Sequence, residues 1–178
     1  MQKSILLTSF TPWKPHHVSN SSDDLLELLS SQHHQQLHLL RKLPVDFRSA
    51  PGKVLARFNE LKPDILICCG MAEEREKLSI ESRAILKEKM IETNVDLKAL
   101  TNGLTMTEIS NDAGQFVCNT LYYKALNHLD SRNHHCIFVH IPLLTAHNVR
   151  HISSEFLSIV ERLTIAHGIH KNRFSVSK

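Results

Sequence analysis

No apolar run in this 178-residue sequence approaches the ~20 residues that a helix needs to span a bilayer. The amino terminus also has no hydrophobic stretch followed by a cleavage site, so neither a membrane span nor a secretory leader is expected. No run of five like charges occurs and the formal net charge is only +3, which gives no footprint for nucleic acid. Cysteine is sparse: of four residues, Cys68 and Cys69 are adjacent, which is no disulfide framework. A reducing, cytoplasmic setting is the expectation. Internal repeats, domain linkers and low-complexity tracts are absent as well. What is present suits one domain spanning residues 1–178, long enough to bury a core without staples, with the polar stretch 170–178 read as a mobile tail.

Strand and helix patterns alternate along the chain. Ser4–Ser9, Asp64–Gly70 and Ile137–Ile141 are short apolar runs that suit buried central strands, and His38–Leu43 reads as another, ended by Pro44. Between them, Ser21 or Ser22 is placed to cap a helix through Asp23–Leu29, whose first turn is acidic. Val54, Phe58 and Leu61 form one helical stripe, and Ile152, Phe156, Ile159, Val160 and Leu163 form another near the carboxyl end. This pattern predicts an α/β fold of three layers, α/β/α, around a mostly parallel, twisted sheet. In such folds ligands bind beyond the carboxyl ends of the strands.

Chemistry-bearing residues fall at those ends. Leu104–Ile109 alternates polar and apolar like a half-buried strand, and Val117, Leu121, Ala125 and Leu129 then recur as a helical face. Gly114 lies in the turn between, so Cys118 is expected at a helix N-terminus, where free amides and the dipole favour a thiolate and lower its pKa. His140 ends an apolar strand, and Glu81 follows Gly70 by eleven residues. Thiol, imidazole and carboxylate are the parts of a base-activated nucleophile whose base is oriented by a third group. Thirteen histidines make such a trio easy to find by spacing alone. The same abundance raises the question of metal. Adjacent histidines (His16-His17, His33-His34, His134-His135) are expected to point apart, and His147 with His151 has helical ligand spacing but no clear third ligand. Neither a metal nor another cofactor is therefore expected.

The words around these residues are more specific. Ala113-Gly114-Gln115-Phe116-Val117-Cys118-Asn119-Thr120-Leu121-Tyr122-Tyr123 resembles the nucleophile motif of pyroglutamyl peptidase I, A-G-x-F-V-C-N-x-L-x-Y. Phe138-Val139-His140-Ile141-Pro142 looks like that family's histidine motif. Gly70-Met71-Ala72-Glu73-Glu74-Arg75 followed by Glu81 is similar to its G-x-A-x-x-R…E block. Pro44-Val45-Asp46-Phe47, Lys62-Pro63-Asp64 and the opening Ile5–Trp13 match in the same order, from residue 4 to residue 145.

The resemblance implies a cysteine exopeptidase that removes an N-terminal pyroglutamate from peptides with a blocked N-terminus. Cys118 would be the nucleophile, His140 the general base and then acid, and Glu81 the group orienting the imidazole. Phe10 and Trp13 would wall the lactam pocket, with Met71 and Val117 completing it. Neither a membrane nor nucleic acid is an expected partner, and monomer and homo-oligomer both stay open.

The departures have consequences of their own. Where the family has T-G-F-E-P-F-G-G, this chain has Thr8-Ser9-Phe10-Thr11-Pro12-Trp13-Lys14-Pro15, and Ser19-Asn20-Ser21 replaces N-P-S. The acid block shifts its arginine, and no counterpart of R-I-P-D-N exists, since no proline lies between Pro63 and Pro142. Ile85–Ile91 is rich in helix formers, and a short helix is expected there in place of the family's long loop. Two readings follow: a peptidase of reduced selectivity, or a weak or inactive homologue that binds peptides.

Overall fold

The computed structural model describes residues 3–30 and 37–165; the tail read at 170–178 lies outside them. The chain opens with β1 (Ile5–Phe10), fully buried as its apolar run requires, and continues through α1 (Ser21–Ser30), β2 (Leu37–Leu43), α2 (Ser49–Leu61) and β3 (Ile65–Met71). Three short strands follow, β4 (Leu78–Glu81), β5 (Arg83–Leu86) and β6 (Lys89–Glu92), then α3 (Leu97–Thr101) and β7 (Thr107–Ser110). The chain then runs through α4 (Val117–His128), β8 (His135–Ile141) and α5 (Val149–Ile165). Among the described residues, no helix is long and apolar enough to cross a membrane.

Six strands form one sheet in the order β2-β1-β3-β8-β4-β7. Every pairing is parallel except β4 with β8, so the sheet is mostly parallel, as the alternating pattern predicts. Side chains alternate across it with period two. Ile5, Leu7, Ile65, Ile67, Ile137 and Val139 pack with α1, α3 and α5 on one face. Leu6, Leu66, Cys68, Cys136 and Phe138 pack with α2 and α4 on the other. The result is the expected three-layer α/β/α arrangement, and each fully buried Leu, Ile or Phe contributes about 1.5–3 kcal/mol.

The local expectations fail in four places, each for a visible reason. Asn20, not Ser21 or Ser22, caps α1: its Oδ1 accepts from Ser22 N at 3.0 Å and its Nδ2 donates to Thr11 O. The strand expected from Leu104 begins only at Thr107, because the Thr105 and Met106 amides donate to the Glu155 carboxylate on α5 at 2.7 and 3.0 Å. His147 lies in the turn before α5, so it does not share a helical face with His151.

The largest correction concerns Ile85–Ile91. It is an antiparallel hairpin of β5 and β6, turned at Lys87 with φ of +57°. Helix propensity there is worth only tenths of a kcal/mol per residue and yields to tertiary bonds. Asn119 supplies them: its Oδ1 accepts from Ile85 N at 3.0 Å and its Nδ2 donates to Ile85 O at 2.5 Å, while Ala84 is fully buried. One amide side chain on α4 thus extends the hairpin's own ladder. Asn119→Ala should remove both bonds, at about 1–3 kcal/mol. Amide hydrogen exchange should then speed up across residues 83–92 while β3 keeps its protection; unchanged exchange in the hairpin would show that Asn119 does not hold it.

Candidate active site

The face of the sheet beneath α2 and α4 carries the reactive groups. His140 is two residues beyond Phe138 on β8, so it shares Phe138's side of the sheet. Leu78 and Ile80 of β4 pack on the opposite face, which turns Glu81 towards α4. There the Tyr122 hydroxyl of α4 donates to the Glu81 carbonyl at 2.9 Å. His140 Nδ1 lies 2.7 Å from Glu81 Oε1. With Glu81 ionised, Nδ1 is the protonated nitrogen and Nε2 keeps its lone pair.

Glu81 is completely buried. Burial alone pushes its carboxyl up, but the His140 hydrogen bond and charge, Ser110 and the Arg75 charge together hold it below the ordinary carboxylate value. Arg75 Nη1 donates to Glu81 Oε1 at 2.8 Å, and Nη2 donates to the Asp112 carbonyl at 2.9 Å. Arg75 belongs to the quoted G-x-A-x-x-R block, yet the sequence alone assigns it no task. In the fold it ties the acid to the loop that launches α4.

That loop turns at Gly114, where φ is +74° and a side chain would be strained; the Gly114 amide donates to Asp112 Oδ1. Phe116 is the N-cap in extended conformation, and Cys118 is the second residue of α4, where the sequence predicts it. Its Sγ rests directly over Gly70 of β3: a Cβ on Gly70 would come within 2.8 Å of it. Gly70 in turn is the register partner of His140. Thiol and imidazole therefore stand over neighbouring strands. The helix N-terminus does not leave Cys118 acidic, contrary to expectation. Burial, followed by the neighbouring Cys68 and Glu81, pushes the thiol up to about 12, so a base must take its proton.

A narrow pocket opens onto Cys118. Phe10, Trp13, Met71 and Val117, the four residues expected to wall it, all line it. Asn20, Val45 and Phe116 line it too and were not singled out, although each sits in a block quoted for the resemblance. None of the lining residues comes from the β5–β6 hairpin. The lining is largely apolar, fit for a flat, neutral group with few hydrogen-bonding atoms.

Fold and site together define an α/β enzyme of the cysteine peptidase class. The sequence profile of the pyroglutamyl peptidases matches residues 3–99 and 91–170, and the chain belongs to that family. It is 30% identical over 169 residues to the pyrrolidone-carboxylate peptidase of Vibrio vulnificus strain YJ016, covering 80% of this chain and 79% of that one. The Bacillus licheniformis pyrrolidone-carboxylate peptidase is 27% identical over 196 residues, covering 93% and 91%. The crystal structure of pyroglutamyl peptidase I from Bacillus amyloliquefaciens superposes with a TM-score of 0.81 at 20% identity, covering 93% of this chain and 97% of that one, which shows the shared fold.

Two outcomes follow from this electrostatic arrangement. Because the Cys118 thiol is pushed up to about 12, its alkylation by iodoacetamide should climb with each pH unit from 7 to 10. Cys118 should still label faster than Cys68, Cys69 and Cys136, which are fully buried; a plateau near pH 8.5, or equal labelling of all four, would contradict the environment described. Glu81 has a depressed folded-state pKa, so its contribution is present above the unfolded carboxylate value of about 4.3 and is lost as pH falls through the lower folded value. Glu81→Gln should therefore lower the melting temperature at pH 7 and differ progressively less from the parent below about pH 4. A constant difference across that range would rule out the ionised pair.

Proposed function

We propose that the chain hydrolyses the amide bond that follows an N-terminal pyroglutamate, with Cys118 as nucleophile, His140 as general base and acid, and Glu81 as the orienting carboxylate. The observation that carries this reading is that the apolar pocket opens onto Cys118, whose Sγ stands over the register partner of the His140 paired with Glu81. The lactam ring enters between Phe10 and Trp13, with Met71 and Val117 beneath it. His140 Nε2 removes the thiol proton as sulfur attacks the carbonyl carbon. This coupling is needed because the thiol's raised pKa leaves almost no standing thiolate at neutral pH. The backbone amide of Cys118, at the start of α4, is the natural first donor to the oxyanion. The imidazolium then protonates the departing amine, and water activated by His140 hydrolyses the thioester. Glu81 keeps Nδ1 protonated throughout, which fixes the tautomer that each step uses.

Purified protein should release the fluorophore from a pyroglutamyl aminomethylcoumarin, and kcat/KM should show a bell-shaped pH profile that belongs to the coupled thiol and imidazole. Cys118→Ala and His140→Ala should each abolish turnover, Glu81→Gln should cost less, and the Cys118→Ala/His140→Ala double variant should be little worse than either single one. A His140→Ala protein with parental rate would show that another base is used.

Selectivity should be loose. No residue of the β5–β6 hairpin reaches the pocket, so this segment closes the site less than a long flap does. Arg83, the shifted arginine, donates to the Asn111 carbonyl instead of the pocket. Loss of a donor that touches the oxyanion costs about 2.7–4 kcal/mol, or 10²–10³ in rate. The chain should therefore cleave pyroglutamyl amides with lower kcat/KM than a family member bearing the full loop, and should measurably cleave prolyl amides. Equal rate and equal selectivity in a side-by-side assay would show that the loop is dispensable.

A further inference from the structure

At the rim of the pocket, in the loop between β1 and α1, the two histidines expected to point apart come together. The His17 amide donates to the Lys14 carbonyl at 3.0 Å, and the turn this makes presents both rings to one carboxylate. His16 Nε2 lies 3.4 Å from Glu73 Oε2, and His17 Nε2 lies 3.0 Å from Glu73 Oε1. The two rings meet edge to face at 4.5 Å. One ligand atom from each of the three side chains falls within 4.8 Å of the other two, the only such set of three among the described residues.

His17 is the decisive member. Its side chain is 4 % exposed, yet neither ring nitrogen has a hydrogen-bond partner among the described residues. Its approach to Glu73 is close but lacks hydrogen-bond alignment. A buried imidazole whose Nδ1 has no partner and whose Nε2 meets only the Glu73 carboxylate is costly unless something else engages it.

We propose that His16, His17 and Glu73 bind a divalent transition-metal ion of the zinc type, which fastens the β1–α1 loop to the end of β3 and so sets the Trp13 wall of the pocket. Two imidazoles and a carboxylate suit zinc and its neighbours and are a poor set for magnesium or calcium. Tetrahedral ligands at a zinc–nitrogen distance of 2.0–2.1 Å stand about 3.3 Å apart, and the two imidazole–carboxylate separations here are 3.4 and 3.0 Å. Water would fill the fourth position. The ion's competitor is Lys14, whose ammonium lies 2.5 Å from Glu73 Oε1 but is half exposed and free to swing into solvent. The link to the pocket is direct: the Trp13 ring stacks edge-on against His17 at 4.4 Å while Trp13 lines the pocket.

The chain has one tryptophan, so its emission reports this site alone. Zinc titrated into the full-length Cys118→Ala protein, which cannot offer the pocket thiol as a ligand, should shift Trp13 emission with one-to-one stoichiometry by calorimetry. Cobalt should give the intense visible absorption of a tetrahedral site. His16→Ala, at an exposed position that leaves the core untouched, and Glu73→Gln should each weaken binding by more than the about 10–100-fold that loss of an outer-shell partner costs. Lys14→Met should tighten it by removing the competing ammonium. Zinc that binds without moving Trp13 emission, or with equal affinity in the parent, His16→Ala and Glu73→Gln proteins, would overturn the assignment.

Discussion

A carboxylate with no exposure to solvent sits near one edge of the six-stranded sheet, and the site is arranged around keeping it charged. Burying an unpaired ion costs several kcal/mol, and removing one partner from a buried pair typically costs about 3–5 kcal/mol. Glu81 meets that demand with two hydrogen-bond donors, the His140 imidazole and the Arg75 guanidinium, both bonded to Oε1. Each partner then does a second job. His140 has its tautomer fixed, with Nε2 available as a base. Arg75 carries the constraint onward to the Asp112 carbonyl, in the loop from which α4 and Cys118 begin. One buried charge thereby ties together Glu81, His140 and the loop from which Cys118 begins.

The position of Cys118 shows a competition between two effects. A helix N-terminus lowers a thiol pKa, whereas burial and neighbouring groups raise it. Here burial wins, and the thiol is pushed up to about 12. In the proposed reaction, proton removal therefore accompanies attack. Gly70 contributes by omission, because any side chain there would collide with the Cys118 sulfur above it.

Much of this was legible in the sequence because it depends on short periods. Period-two alternation places His140 on the side of Phe138, and the fourfold spacing of Val117, Leu121 and Ala125 marks α4. The strands β1, β3 and β8 are apolar on both faces, so only a covered sheet can hold them. The quoted motif blocks pointed to all four expected pocket residues. What was not legible depends on contacts between distant segments. The β5–β6 hairpin exists because Asn119, thirty-four residues away, replaces the hydrogen bonds a helix would have made. The shortening of β7 depends on Glu155 in α5, and Arg75 acquires its partners only when β4 is inserted beside β8. Likewise, nothing in the spacing of His16 and His17 announces Glu73, which a crossover brings to the same corner.

The central claim is that Cys118 becomes covalently acylated by the pyroglutamyl α-carbonyl, the carbonyl of the scissile amide. Acid quench of the protein in steady-state turnover of a pyroglutamyl ester, followed by peptide mass mapping, tests it most directly. The account predicts a hydroxylamine-labile adduct of one pyroglutamyl group on the peptide that carries Cys118, lost when His140, the base that frees the thiol, is replaced by alanine. Turnover with no adduct on that peptide, or an adduct that persists at another residue in Cys118→Ala, would contradict it.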